Sequence, residues 1–378
     1  MSGPLAGVRV LEVGHILAGP FAGMLLADLG ADVIKIESSV GDLSRTVGSQ
    51  SIDGHNVYFA SLNRNKRSVH IDLATPQGQQ SLAELATGAH ALVVNMRPSA
   101  IRKLGLDYAS LRRHNPAIVC VALTGYGLDG PNAEDPAFDY VIQALTGVAA
   151  MTGEPDGRPT LAGYSAVDNS AGIMAALALV AKVHEGKGGQ VDVSLFDTLL
   201  AQLNYKAAAY LNGGQRPHRH RMGAHTFYVP AQLFDTAEGC LALFVTHDES
   251  WRRLCGEIGR PEWGSDPRFT TMHARHDNRM ALLSLLSPVL EEASAREWVA
   301  RLRPLGLAVG AVADLGDALD DELVRRRGMV VTLDTDEGPL RMLASPIRFD
   351  DDRGAYRLPP RLHEHTDELI PQPAEESD

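Results

Sequence analysis

The stretch Val8-Arg9-Val10-Leu11-Glu12-Val13-Gly14, followed by Gly19-Pro20, Gly23, Gly30 and Ala31-Asp32-Val33-Ile34-Lys35-Ile36-Glu37, decides the fold. Its apolar and β-branched residues predict strands over Val8–Val13 and Ala31–Glu37, with a helix between them that Pro20 opens and Gly30 ends. Proline in a first helical turn forfeits no hydrogen bond, and glycine just past a helix end turns the chain without a steric penalty. A unit of this kind can bind a dinucleotide, but Gly14, Gly19 and Gly23 do not keep the G-x-G-x-x-G spacing. Pro20 also removes a backbone N–H at the turn that would face a pyrophosphate. A plain βαβ unit explains these glycines, and NAD is not expected.

The alternation continues outward from this unit. Helical patterns over Pro76–Ala86 and Ser99–Leu104 alternate with strands over Val69–Leu73, Ala91–Met96 and Ala117–Leu123. An Ala-rich helix runs from about Val167 to Glu185, then a strand over Val191–Leu195, then a helix to about Leu211. Near-continuous apolar strands separated by helices specify an α/β fold whose parallel sheet is covered on both faces. Gly, Pro, His and Arg crowd together in Asn212–His225, which reads as a linker. Beyond it the pattern is α+β, with strands over Cys240–Thr246 and Leu307–Val312 and helices over Glu249–Ile258, Asn278–Glu292 and Ala295–Leu305. Met329–Phe349 is β-rich again, and the acidic segment 371–378 reads as a frayed tail.

Composition narrows the function. The chain has 378 residues, 44% hydrophobic and 22% charged, enough to bury a sizeable core. A formal net charge of −12 argues against nucleic acid and anionic membranes as partners, since both need a dense positive footprint. Cys120, Cys240 and Cys255 form no C-x-x-C pair, so neither zinc nor a disulfide framework is indicated. The start lacks a signal-peptide pattern, and the apolar run Ala171–Val183 is too short to span a bilayer, so a soluble cytoplasmic protein is expected.

In such an acidic chain a phosphorylated ligand must meet a local cluster of cations. Asn63-Arg64-Asn65-Lys66-Arg67-Ser68 is the densest, and it reads either as a solvated loop or as an anion contact. Arg97, Arg102 and Lys103 follow a strand, where open α/β sheets collect ligands. His218, His220 and His225 lie in an Arg-rich linker without carboxylate or Cys partners at ligand spacing, so no metal is expected there. His363-Glu364-His365 is not a zinc-protease motif, and neither a G-x-S-x-G elbow nor a Cys nucleophile context occurs. Asp168, in Ser165-Ala166-Val167-Asp168-Asn169-Ser170-Ala171-Gly172, reads locally as a helix N-cap.

A resemblance gives Asp168 a second reading. Gly7–Val13, Ala18-Gly19-Pro20, Leu26–Glu37, Gly41-Asp42, Arg45, Asn63–Arg67, Arg102-Lys103-Leu104-Gly105-Leu106, Gly125-Tyr126-Gly127, Gly130-Pro131, Ala166-Val167-Asp168, Gly189–Ser194 and His365-Thr366 occur in one order from about residue 3 to 370. In this the chain resembles the class III CoA-transferases, a family that includes formyl-CoA and carnitine CoA-transferases and α-methylacyl-CoA racemases. The resemblance implies a large Rossmann-like domain over 1–211 completed by 329–370. A linker (212–227) would lead to a smaller α+β domain with its return linker (228–328). It also implies an interlocked homodimer, with each active site between the large domain of one subunit and the small domain of the other. Coenzyme A or acyl-CoA would be the substrate, with contacts from His15, Ala18, Lys66 and Arg102 and with Arg67 and Arg97 as further cofactor-binding candidates. Ser38 and Ser39 stand where many members carry a basic residue.

On the family pattern Asp168 is the nucleophile, passing through an aspartyl anhydride and an aspartyl-CoA thioester, with N–H groups of its helix stabilising the oxyanion. Racemase members need two acid/base groups and carry a His where this chain has Phe138, in Pro136-Ala137-Phe138-Asp139-Tyr140. Phenylalanine cannot take a proton, so transfer of CoA to a carboxylic acid is the expected reaction, with racemisation or catalysis-free CoA binding as alternatives. Oxalate-using members carry Gln at the place of Leu17 and a glycine-rich flap near Gly223, so a small dicarboxylate or branched acid is expected instead. Leu17, Phe138, Tyr140, His225 and Tyr228 are the candidates for its pocket, with Gln143 as a supporting group.

Overall fold

The computed structural model describes residues 3–350 and 353–370, and the expected frayed tail, 371–378, lies outside the described residues. Six strands, β1 (Arg9–Val13), β2 (Asp32–Glu37), β3 (Arg67–His70), β4 (Ala91–Val94), β5 (Val119–Thr124) and β6 (Gly189–Ser194), form one sheet. Their spatial order is β3-β2-β1-β4-β5-β6 and every neighbouring pair is parallel. β4 and β5 are buried along their whole length, as the continuous apolar runs require, whereas β6 at the sheet edge alternates half-buried and exposed positions up to the buried Ser194. Leu11, Ile34, Val69, Leu92 and Cys120 share one core on the sheet face.

Helices return the chain between strands: α1 (Ala18–Asp28), α2 (Val57–Asn63), α3 (Pro76–Thr87), α4 (Pro98–Lys103), α5 (Asp139–Leu145), α6 (Ala166–Glu185) and α7 (Leu195–Ala201). α1 begins two residues ahead of the expected Pro20, which still falls in the first turn where its missing N–H is harmless. α6 buries Val167, Ala171, Ala175 and Leu179, one side of a helix at i, i+4 spacing, and leaves Ile173 and Leu177 exposed. By length and composition its 20 residues could cross a bilayer, beyond what the run Ala171–Val183 suggested, but it packs on α1 and on β5. The close α1–α6 approach depends on Gly172, where a Cβ would sit 2.9 Å from the Ala18 carbonyl oxygen.

The chain divides into two compact units, one of residues 1–146, 162–208 and 322–378 and one of 147–161 and 209–321. Residues 147–161 thus group with the second unit, and the division at 208/209 falls inside a helix, Asn204–Gly213, ahead of the expected linker. The second unit has an antiparallel sheet of β7 (Ala231–Asp235), β8 (Cys240–Phe244) and β9 (Ala308–Ala311), with β8 central. Helices α8 (Asp248–Glu257), α9 (Arg279–Leu290) and α10 (Ala295–Leu302) contribute to its core of Phe234, Trp251, Phe269, Leu286 and Trp298. Arg275, fully buried there, is tolerated because it donates to the Val229 and Phe269 carbonyls and pairs with Asp248.

Candidate active site

In the sheet order the chain leaves β1 toward β2 on one side and later returns to β4 on the other, so the loops after β1 and β4 diverge. A crevice opens at such a point, beyond the carboxyl ends of the strands. A cavity of about 270 Å³ lies there, lined by the loop after β1, by Asn95–Arg97 after β4, by Gly125 after β5 and by Leu195 after β6. Six of the residues expected from sequence converge on it: His15, Leu17, Ala18, Arg97, Phe138 and Asp168.

Asp168 is not the N-cap of α6. Ser165 holds that position without a side-chain hydrogen bond, and Asp168 is the third helical residue. The cap comes from another segment: Asp139, buried at the start of α5, accepts from the Val167 N–H at 2.7 Å and the Asp168 N–H at 3.3 Å. Its other oxygen accepts from Gln143 Nε2 at 2.6 Å, and Gln143 in turn accepts from the Ala162 N–H. The Asp168 side chain is therefore released from capping and reaches the cavity. The same arrangement corrects the expected oxyanion site, because the N–H groups of Val167 and Asp168 are already taken.

Burial, with the Asp139 charge adding to it, pushes the Asp168 carboxyl from 3.8 up to about 6. An anion at a helix N-terminus is ordinarily favoured by roughly 0.3–1 kcal/mol, so here desolvation and like charge outweigh the helix. Tyr58 stands near enough to Asp168 and Asp42 that both carboxylates reinforce the upward shift that burial gives its hydroxyl.

The wall formed by His15–Ala18 is held on two sides. Asn95 accepts from the His15 N–H at 2.9 Å and donates to the His15 carbonyl at 3.0 Å. Cβ atoms at Gly14 or Gly19 would strike this amide, which gives these glycines a packing reason unconnected with a dinucleotide. His15 Nδ1 faces the Leu43 N–H at 3.4 Å, so Nε2 carries the ring proton, and burial lowers its pKa so that the ring is neutral near pH 7.

The basic run 63–67 is neither a solvated loop nor part of the cavity. Arg64 and Asn65 bond to Asp28. Lys66 is buried, donates to Pro20 O and Asn63 Oδ1, and forms an ion pair with Glu12. Arg67 lies in β3 and shares Asp32 with Arg9 at the amino edge of the sheet, away from the cavity. Lys66 and Arg67, expected as CoA-binding residues, are thus both engaged in internal ion pairs. Arg102 is exposed beside Glu134 and Tyr140 is exposed on α5, and neither lines the cavity. His225 and Tyr228 belong to the second unit, where with Phe244 they form an aromatic cluster. Among the described residues no group of three His, Cys, Asp or Glu is placed to hold a metal. Asp139, Asn95 and Tyr58 were not picked out from sequence; the one available signal for Asp139 was its place beside Phe138.

The family model described as CoA-transferase family III matches residues 5–366. The chain belongs to that family. The CoA-transferase is 34% identical to succinate–glutarate CoA-transferase of Agrobacterium fabrum, covering 97% of this chain and 95% of that one. It is 33% identical to succinyl-CoA–D-citramalate CoA-transferase of Chloroflexus aurantiacus, over 97% and 93%. A CAIB/BAIF family protein from Brucella suis superposes with a TM-score of 0.84 at 33% identity, over 98% and 99% of the two chains. The Rv3272 protein of M. tuberculosis gives 0.87 at 29% identity, again over 98% and 99%. The protein is an enzyme of the CoA-transferase class, and CoA or an acyl-CoA is its substrate at the level of the family.

Proposed function

We propose that the CoA-transferase works through covalent catalysis by Asp168, exchanging CoA between an acyl-CoA and a small dicarboxylic or branched acid. The observation that carries this reading is the position of Asp168: in a cavity at the carboxyl edge of the sheet, relieved of helix capping, with its carboxyl pushed up to about 6. Such a carboxylate is mostly ionised at pH 7 yet more basic than an exposed one, which favours attack on a thioester. Asp168 Oδ attacks the thioester carbonyl carbon and the C–S bond breaks, giving a mixed anhydride and CoA thiolate. Thiolate attacks the aspartyl carbonyl and expels the donor acid, leaving an aspartyl-CoA thioester. The acceptor carboxylate then forms its own anhydride with Asp168 by displacing thiolate. Thiolate takes the acceptor acyl group and restores the carboxylate.

Around this centre Arg97 supplies positive charge for the anionic part of CoA, and neutral His15 supplies an Nε2–H donor. The first turn of α1, which begins at Ala18 in the cavity wall without a side-chain cap, supplies N–H groups that no turn of its own helix uses. Phe138 lines the cavity where proton transfer would need a base, and the Asp139 beside it is committed to α6, so transfer is favoured over racemisation. The relatives' names give succinate, glutarate and citramalate as acids they handle, which supports a dicarboxylate. The homodimer, the Rossmann-like description of the large unit and a cytoplasmic location are part of the same proposal; the first two rest on the family pattern, and the sheet order supports the second.

Incubation with succinyl-CoA followed by hydroxylamine or borohydride should modify the peptide bearing Asp168, and a panel of acids read by mass spectrometry should show a new acyl-CoA. Exchange that persists in Asp168→Ala would overturn the covalent role. Deuterium entering Cα of the acyl group in heavy water without an acceptor acid would favour racemisation instead.

A further inference from the structure

We infer that Asp42 is a positioning residue of the transfer reaction, holding Ile16 in a left-handed conformation and thereby setting the His15–Ala18 wall of the Asp168 cavity. The inference rests on the reading of that cavity as the acyl-CoA site. Ile16 has φ +66°, a conformation in which a β-branched side chain crowds its own backbone. Strain of this kind persists only where the surroundings over-determine it.

Here they do. Asp42 Oδ1 accepts from the Ile16 N–H at 3.0 Å and from the Ser44 N–H and hydroxyl at 2.8 Å each. Asp42 Oδ2 lies 2.8 Å from Lys35 Nζ, which also reaches Glu12 at 2.6 Å and the Gly14 carbonyl at 3.0 Å. The second Glu12 oxygen is 2.7 Å from Lys66 Nζ, and Lys66 donates to the Pro20 carbonyl at 2.7 Å. Two cations and two carboxylates, all buried, therefore form a neutral quartet. It grips the backbone at Gly14, Ile16 and Pro20, three points that bracket the cavity wall. Buried ion pairs are often no more stabilising than apolar packing of equal volume, so stability alone does not account for the set. What it does account for is one fixed geometry for His15, Leu17 and Ala18.

The test is CoA exchange and CoA binding by calorimetry for wild type, Asp42→Ala, and Asp42→Ala combined with Ile16→Gly. Loss of a charged hydrogen-bond acceptor should raise KM for acyl-CoA and the Kd for CoA about tenfold, with kcat changed by less than about threefold. Glycine enters the left-handed region without strain, so the double variant should recover about threefold of the lost affinity. A merely structural Asp42 would lower the active fraction, seen as reduced kcat at unchanged KM, with no rescue by glycine; that result overturns the inference. If Asp42→Ala does not fold by circular dichroism, Asp42→Asn, which keeps an acceptor for Ile16 but turns a donor toward Lys35, should still raise KM about threefold, and an unchanged KM overturns the inference. A wild-type enzyme that exchanges CoA with no acid overturns the function reading instead, while the CoA affinities still decide the role of Asp42.

Discussion

Replacing Asp168 by Asn removes a charge that the folded protein holds at a disadvantage. The carboxyl titrates near 3.8 when unperturbed and near 6 in the native site, a gap of about 3 kcal/mol. Between those values the native state binds more protons than the unfolded chain, so stability falls as pH rises from about 4 to 6 and stays reduced above it. Because Asp168 is only half-buried, part of the gap is screened, and Asp168→Asn should gain about 1–3 kcal/mol at pH 7.5 and nothing at pH 4. The probe matters. All three tryptophans, Trp251, Trp263 and Trp298, lie in the second unit, so their fluorescence would follow the wrong part of the chain. Amide hydrogen exchange in α6 peptides follows the right one, and protection there should rise about 5- to 150-fold in the variant at pH 7.5. CoA exchange should be lost in the same variant. Equal or lower protection at pH 7.5 would refute the claim that burial and Asp139 outweigh the favourable helix N-terminus.

Three further outcomes are expected. The rate of acylation by acyl-CoA should fall below about pH 6 as Asp168 is protonated, and Asp139→Asn should move that limb to lower pH by removing the neighbouring charge, read from stopped-flow rates across pH 4.5–8. Arg97→Ala should raise KM for acyl-CoA about tenfold with kcat little changed, and the difference should shrink at high salt because an exposed cation is screened. Gly23→Ala should destabilise the large unit by about 1–3 kcal/mol in urea titrations followed by circular dichroism, because the new Cβ overlaps a Glu12 oxygen inside the buried ion quartet.

The sheet was legible because its signals are local. Leu92, Val93, Cys120 and Val121 are buried inside continuous apolar runs, and Val10, Leu11, Val33 and Ile34 are buried in β-branched strands interrupted by Glu12 and Lys35, which are buried and paired with each other. β3 was misplaced by two residues because Arg67 and Ser68 look like loop, although both are paired within the fold. The basic run 63–67 misled for the same reason: a sequence shows charge but not its partner, and Asp28, Asp32 and Glu12 lie more than thirty residues away in the chain. Asp168 itself was found through resemblance, and its local pattern pointed to a cap that another residue supplies. Nothing in the spacing of Asp139 and Val167, 28 positions apart, could have announced that bond.

That bond joins architecture to reactivity. A helix such as α6 needs acceptors for its first N–H groups, and a nearby Ser or Asp usually supplies them at little expense. Ser165 occupies the cap position but makes no such bond, and the acceptor arrives instead as a full negative charge from α5. Asp139 is held in place by two N–H groups and by Gln143, close enough that its charge is felt at Asp168. Its charge therefore acts on Asp168 and raises that carboxyl's basicity. A neutral cap would anchor α6 nearly as well while leaving the nucleophile closer to an ordinary aspartate. The gain from the charged cap is thus chemical, and Asp139→Asn should separate the two effects, leaving α6 formed while the acid limb of the acylation rate moves.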